Sequence, residues 1–344
     1  MKRILIILTL FAGLIACENQ ENEFEDFDYT SGYFPYQYPV RTLVLGNYIY
    51  DNTNDNNHKF LISAAMGGVY ENTENRIFRF DVDESLCANA FFADGSPIRP
   101  LPTAYYQLSN EKEIIIEPGN INGGVEVQLS EAFFNDPLSI KNSYVLPLRL
   151  TGVMNLDTLL QGMAASGLAD PRIASHWTTP PKHFTMFCVK YINPFHGNFL
   201  RYGASSLSQA NTVLENNTYS TPYLEKNEVT KLTTTGNTQV SWSTSFKSTS
   251  LSGQFTMLLN FASADYNAPA GISCTIVQAE GIPYTITGTG KFAGNAEEFG
   301  GKKRDAIYLS YTVDDDTYHY SANDTLVMRD RAVVMEVYTP TIKK

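Results

Sequence analysis

From Val40 onward, apolar and polar positions alternate in short runs broken by Gly, Asn, Asp and Pro, the pattern of strands joined by tight turns. Thr42-Leu43-Val44-Leu45, Ile77 to Val82, Ile114-Ile115-Ile116, Val125 to Leu129 and Tyr144 to Leu150 read as strands, several with one packed and one wet face. Turn chemistry at Glu117-Pro118-Gly119-Asn120 and Asn122-Gly123-Gly124 recurs at the interval of a small sandwich. The spacing predicts an all-β fold in which residues 40–153 form an immunoglobulin-like β-sandwich. Leu156, Leu159, Leu160 and Met163 fall at helical spacing and predict a short helix in a junction, residues 154–182, closed by Thr178-Thr179-Pro180-Pro181. Eight further runs follow: His183–Tyr191, Thr230–Thr234, Gln239–Phe246, Gly253–Phe261, Gly271–Gln278, Tyr284–Gly290, Ala306–Val313 and Ala332–Thr339. They predict a C-terminal domain over residues 183–344, an antiparallel lipocalin-like barrel or a second sandwich.

The head of the chain has a different pattern. Met1-Lys2-Arg3 is basic, Ile4 to Phe11 is apolar apart from Thr9, and Leu14-Ile15-Ala16-Cys17 has the small-residue form of a lipoprotein cleavage site. Residues 1–16 are therefore expected to be a signal peptide and Cys17 the lipidated residue; the apolar run is too short to span a bilayer. Contact with the membrane is expected through the lipid anchor only. Residues 17–39, with Glu18, Glu21, Glu23, Glu25, Asp26 and Asp28, read as an acidic tether. That tether resembles the export tag of surface-exposed lipoproteins of gut anaerobes, which implies an outer-membrane, cell-surface address.

Composition narrows the partners. The net charge is −11, and Lys302-Lys303-Arg304 is the longest basic run, which argues against nucleic acid and anionic lipid and toward neutral or cationic partners. Beyond Cys17 there remain Cys87, Cys188 and Cys274, with no zinc spacing; they read as small buried hydrophobes, with a Cys87 to Cys188 bridge as the alternative. There is no Gly-x-Ser-x-Gly elbow, His-Glu-x-x-His helix or phosphate loop, so no catalytic residue, metal ligand or cofactor is assigned. Asp314-Asp315-Asp316 reads as a hairpin turn rather than a calcium site.

Three stretches carry a resemblance: Lys190 to Gly203, Gly300 to Leu309 and Asp324 to Arg331. With the sandwich pattern ending at Leu150, they resemble a two-domain family of surface lipoproteins whose adhesin-like N-terminal domain is of unknown function and whose members accompany polysaccharide-utilisation systems. The resemblance implies a setting of glycan capture and no catalytic residues. Read from the residues alone, Gly300-Gly301 permits a tight turn. Lys302, Lys303, Arg304 and Asp305 then suit a salt-bridged rim, with Arg329, Asp330 and Arg331 pairing with Asp305 or Asp324.

Glycan binding needs flat aromatic faces and a few hydrogen-bonding groups. Trp177 and Trp242 are the candidate platforms and Tyr202, Tyr219 and Tyr223 the flanking rings, with Asn193, Asn198 and Arg201 close by in sequence. The expected function is non-catalytic capture of a neutral polysaccharide or oligosaccharide, passed to an outer-membrane transporter with companion lipoproteins. The alternative is an adhesive or structural surface protein that binds a host protein or a partner lipoprotein through its N-terminal sandwich. A hydrolase ranks third, since paired carboxylates leave no signature in sequence.

Overall fold

The computed structural model describes residues 27, 29–167, 169–268 and 270–343. The signal peptide, Cys17 and the acidic part of the tether lie outside them. The fold is all-β, 54% strand against 7% helix. No helix among the described residues is long and apolar enough to cross a membrane.

The N-terminal domain is a sandwich of two sheets. One orders its strands Thr158–Leu159, Ser31–Tyr33, Lys59–Gly67, Asn122–Leu129 and Tyr106–Leu108. The other runs Glu336–Val337, Pro39–Val44, Phe184–Ile192, Tyr144–Met154, Arg76–Val82 and Glu113–Ile116. Their inner faces enclose Phe34, Phe60, Ile62, Phe78, Phe80, Val127, Phe133, Phe134, Leu146 and Leu148, the alternating apolar positions that the pattern predicts. The second sheet is covered on its outer face too, where Leu86, Phe92, Val145, Phe184, Met186 and Cys188 form a smaller core.

The C-terminal domain is a closed eight-stranded antiparallel barrel. Its strands are Gly197–Gln209, Glu228–Gly236, Gln239–Ser245, Gln254–Phe261, Ile272–Gln278, Thr285–Phe299, Lys302–Asp314 and Tyr318–Asp330. Gly197–Gln209 closes the ring by pairing with Tyr318–Asp330 along most of its length, and Thr212–Tyr219 extends it on the other side. Closure removes free sheet edges. The Asp314-Asp315-Asp316 segment is the expected hairpin, with Asp315 accepting the Tyr318 backbone N–H at 2.6 Å.

Four expectations change. Residues 31–33 and 39–44 are strands, so the tether gives way to the sandwich near Ser31. No helix spans Leu156 to Met163; Asp157 accepts the Thr30 N–H and hydroxyl, which lays Thr158–Leu159 alongside Ser31–Gly32. Gly162 then turns the chain at φ 77°, where an added Cβ would lie 2.5 Å from the Thr179 carbonyl oxygen. The runs at 183–191 and 332–339 are not barrel strands. Phe184–Ile192 is a central sandwich strand between Pro39–Val44 and Tyr144–Met154, and cover on both faces explains a run that is apolar apart from Thr185 and Lys190. The barrel begins at Gly197 instead, and Tyr318–Asp330 completes its eight strands.

The chain returns to its first domain at the end. Glu336–Val337 pairs with Pro39–Val40, and Thr341–Ile342 with Ala90–Phe91. Lys190 binds the Glu336 carboxylate at 2.8 Å. Tyr338 packs against Tyr38 and Phe92 while its hydroxyl donates to the Met186 carbonyl at 2.8 Å. Tyr338→Ala removes this ring and its hydrogen bond, and is expected to cost about 3 kcal/mol of unfolding free energy. Urea denaturation followed by far-UV circular dichroism measures it; an unchanged midpoint would show that the tail does not clamp the sandwich.

Candidate functional site

Where the barrel meets the sandwich, an open cleft of about 940 Å³ lies between the two domains. The size and position suit a ligand site, since such pockets occupy hundreds of Å³ and favour domain boundaries. Its walls come from the sandwich loop Asn47 to Tyr50, the barrel turn with Lys302 to Asp305, and the exit strand and tail from Met328 to Val334.

The loop is set by its base. Gly46 holds φ at 90° and a Cβ there would come within 2.8 Å of Pro194, so only glycine lets the loop cross the start of the barrel. Asn52 donates to the Val44 and Gly46 carbonyls, and buried Asp55 takes the Val44 N–H at 2.8 Å and pairs with Arg41. The Tyr48 and Tyr50 rings pack edge to face with centroids 5.4 Å apart, and Tyr50 remains 68% exposed. The loop thus offers aromatic faces on a fixed base.

Arg331 forms the floor. It is 4% exposed and makes no ion pair among the described residues. Its guanidinium donates instead to the carbonyls of His196 at 2.8 Å, Asn47 at 2.8 Å and Asn193 at 2.6 Å. Burial pulls its pKa down to about 10, with Asp305 acting in the opposite direction. Asp305 accepts from Asn47 Nδ2 at 3.0 Å and from the Asn295 N–H at 2.9 Å. Asp330 accepts from Asn198 Nδ2 at 2.7 Å and from the Ala332 N–H at 2.9 Å, with Arg329 at 3.7 Å. Both cleft carboxylates are therefore engaged by the protein. Lys302 and Lys303 are exposed, and neither makes an ion pair among the described residues.

The three stretches singled out in the sequence converge here, through Asn198, through Lys302 to Asp305, and through Met328 to Arg331. The charge pairing expected of them is different in the structure. Arg331 binds carbonyls, Asp305 binds amides, and Asp324 pairs with Arg201 deep in the barrel.

Of the candidate sugar contacts, Asn198 alone lines the cleft. Trp242 is 0% exposed, so its face cannot meet a sugar; its Nε1 donates to Thr230 Oγ1 at 2.6 Å. Arg201 is also buried, stacked 5.1 Å from the Trp242 ring. It grips Asp324 in a fork of two 3.0 Å bonds, and Tyr219 and Tyr311 donate to the same carboxylate at 2.8 Å. Burial disfavours the Arg201 cation, but Tyr311 and Asp324 outweigh it and hold its pKa above the usual value. Both residues are part of a barrel plug.

Asn193 is buried and donates to the Gly236 and Gln239 carbonyls, both at 2.9 Å, tying the linker to the barrel. Tyr202 is half-buried on the barrel wall opposite Thr325. Tyr223 is exposed but lies apart from the cleft, under the Lys226 ammonium at 5.0 Å. Trp177 is half-buried in a separate shallow pocket of about 400 Å³ with Tyr36, Tyr38 and Tyr338, its Nε1 donating to the Asp170 carbonyl at 2.7 Å. Sequence reasoning missed Tyr48 and Tyr50, although Gly46-Asn47 before two spaced tyrosines is a loop signal. Cys87, Cys188 and Cys274 are free buried thiols, their pKa values pushed up to about 12 by burial. No group of three His, Cys, Asp or Glu among the described residues could hold a metal ion.

Comparison with known proteins agrees with this division. Residues 194–332 match the family model described as a domain of unknown function (DUF5627), and residues 27–157 match a model for an N-terminal domain. A crystal structure of a Bacteroides ovatus protein of unknown function is 38% identical, covering 92% of this chain and 100% of that one, with a TM-score of 0.84. A multidomain Bacteroides ovatus protein including DUF1735 shares 9% identity over 87% of this chain and 94% of that one, with a TM-score of 0.39. An auxiliary nutrient binding protein from Bacteroides thetaiotaomicron shares 10% over 84% and 90%, with a TM-score of 0.36. Likeness at those two scores carries no argument about this chain. Among curated proteins none matches.

Two predictions follow from the seam. Arg331→Met strips the donors from the buried carbonyls of Asn193 and His196 and from the Asn47 carbonyl, and is expected to cost about 3 kcal/mol or more in chemical denaturation. The second concerns His196, whose Nδ1 accepts the Thr234 N–H at 3.0 Å. Burial, then Arg331, Lys231 and Lys190, hold its pKa down to about 3 from 6.5. Between those values the unfolded chain binds the extra proton, so His196 lowers stability as pH falls from 6.5 to 3, by about 1.4 kcal/mol per unit. It contributes no pH dependence above 7. His196→Asn is expected to flatten the unfolding free energy between pH 6 and pH 4; an identical slope in both proteins would refute the assignment.

Proposed function

We infer that this protein, which belongs to the family of the Bacteroides ovatus protein of unknown function, captures a saccharide without cleaving it, in the cleft between its domains. The observation that carries the reading is the pairing of the half-buried Tyr48 and exposed Tyr50 rings with hydrogen-bonding groups across a concave site of about 940 Å³. Sugars present apolar C–H faces and a ring of hydroxyls, and this arrangement meets both. A non-catalytic role is supported by Asp305 and Asp330. Each accepts hydrogen bonds from both a side-chain amide and a backbone N–H, which gives it a structural task in holding the cleft walls together.

The address in this reading comes from the head of the chain. Lipidation at Cys17 and the acidic tether place the two domains on the outer face of the outer membrane, where the captured glycan passes to a transporter and companion lipoproteins. A second reading, capture of a partner protein, draws on apolar residues at the cleft's end, Val334, which lines it and is 70% exposed, and the next residue Met335, 77% exposed.

Affinity electrophoresis of the full-length protein in detergent against a polysaccharide panel tests the first reading. Retardation by a polymer whose chain length stays unchanged is expected. Tyr50→Ala should weaken it about tenfold and Tyr48→Ala/Tyr50→Ala should abolish it, with circular dichroism unaltered. Full retardation of the double variant would move the site elsewhere, and a shortened polymer would make the protein an enzyme.

A further inference from the structure

Resting on the cleft as the saccharide site, we propose that its ligand is an anionic saccharide, one that carries carboxylate or sulfate groups. The cleft is lined by Lys302, Lys303, Arg304, Arg329 and Arg331 against Asp305 and Asp330. That local excess of positive charge stands in a chain whose net charge is −11.

The carboxylates offset only part of it. Asp305 accepts from Asn47 and the Asn295 N–H, and Asp330 accepts from Asn198 and the Ala332 N–H and pairs with Arg329 at 3.7 Å, so two anions stand against five cations. Arg331 is spent on three carbonyls in the floor. Arg304 is held over the Phe299 ring at 5.5 Å and donates to the Phe299 carbonyl. Lys302 and Lys303 remain, on the turn that forms one wall. Glu298 faces Lys303 across the ladder but makes no ion pair with it.

Two lysines without an ion pair, lining the same cleft as Tyr48 and Tyr50, suit a ligand with both a hydrocarbon face and a negative charge. The remote carboxylates that make the chain acidic do not cancel this attraction, because charges more than about 8 Å apart across solvent are screened at physiological salt. Concave, low-dielectric walls concentrate the local field instead. The protein's overall acidity, which points to a neutral ligand, is outweighed at the site by the local arrangement.

Matched polymers separate charge from shape: polygalacturonate against its full methyl ester for carboxylate, and dextran sulfate against dextran for sulfate. The full-length protein in detergent is expected to bind at least one charged member roughly tenfold tighter than its neutral twin, and less tightly as salt rises. Lys302→Ala/Lys303→Ala should remove most of that preference and Lys302→Glu/Lys303→Glu all of it. The exposed control Lys226→Ala, away from the cleft, should bind like wild type. Thermal unfolding confirms that each variant is folded.

Equal binding of charged and neutral twins, or lysine variants that bind like wild type, would overturn the proposal. So would retention of a neutral glycan alone, but the saccharide site would then stand if Tyr50→Ala still weakens the complex. Binding to no polymer in either the panel or the pairs would overturn both.

Discussion

Arg331 holds the two domains in register. Its three donors reach Asn47 in a sandwich loop, Asn193 in the linker and His196 at the entry to the barrel, while its own backbone leaves the last barrel strand. A guanidinium with carbonyls in place of a carboxylate stays charged only because several aligned dipoles replace its water, and its lowered pKa records how incomplete that replacement is. The cleft follows from this arrangement. Loss of the fork would leave the Asn47–Tyr50 loop joined to the barrel by the Asn47 amide on Asp305, a weaker hold on the aromatic and cationic walls that share the cleft.

The barrel needs a second polar lock. Arg201 and Asp324 meet diagonally across neighbouring strands, Arg201 opposite Leu326 and Asp324 opposite Gly203, and Tyr219, Tyr311 and Thr244 complete their hydrogen bonding. Such a buried pair adds little net stability over a well-packed apolar core, but removal of one partner would leave the other charge buried and unpaired. The strands it joins are Gly197–Gln209 and Tyr318–Asp330, the pair that closes the ring. Trp242 lies beneath the same guanidinium, so the residue that looks most like a sugar platform is part of what keeps the barrel shut.

The fold class was legible because strand periodicity is local. Alternation from Thr42 to Leu150 reports one buried face at a time, and both domains keep that pattern. Strand membership was not legible. Phe184–Ile192 is as apolar as a barrel strand could be, and only its neighbours Val40 and Val145 place it in the sandwich. Gly197–Gln209 was overlooked for the opposite reason: Arg201 and its serines look solvent-facing until Asp324, far along the chain, is brought beside them.

The site was legible in part. Asn198, Lys302 to Asp305 and Arg329 to Arg331 were marked by their distinctiveness, yet their convergence depends on the barrel register and on a sandwich loop some 250 residues away from Asp305, the separation spanned by the Asn47 hydrogen bond. By itself the sequence determined the strand pattern, the basic-then-apolar head that ends at Cys17 and the acidic balance, since each is a property of neighbouring residues or of their sum. The tertiary structure alone decided which aromatic rings are buried, which charges are spent on the protein, and that two lysines of an acidic chain stand uncommitted in a cleft. Those depend on long-range pairing, because burial and neutralisation belong to the residues that surround a group and not to the residues that precede it.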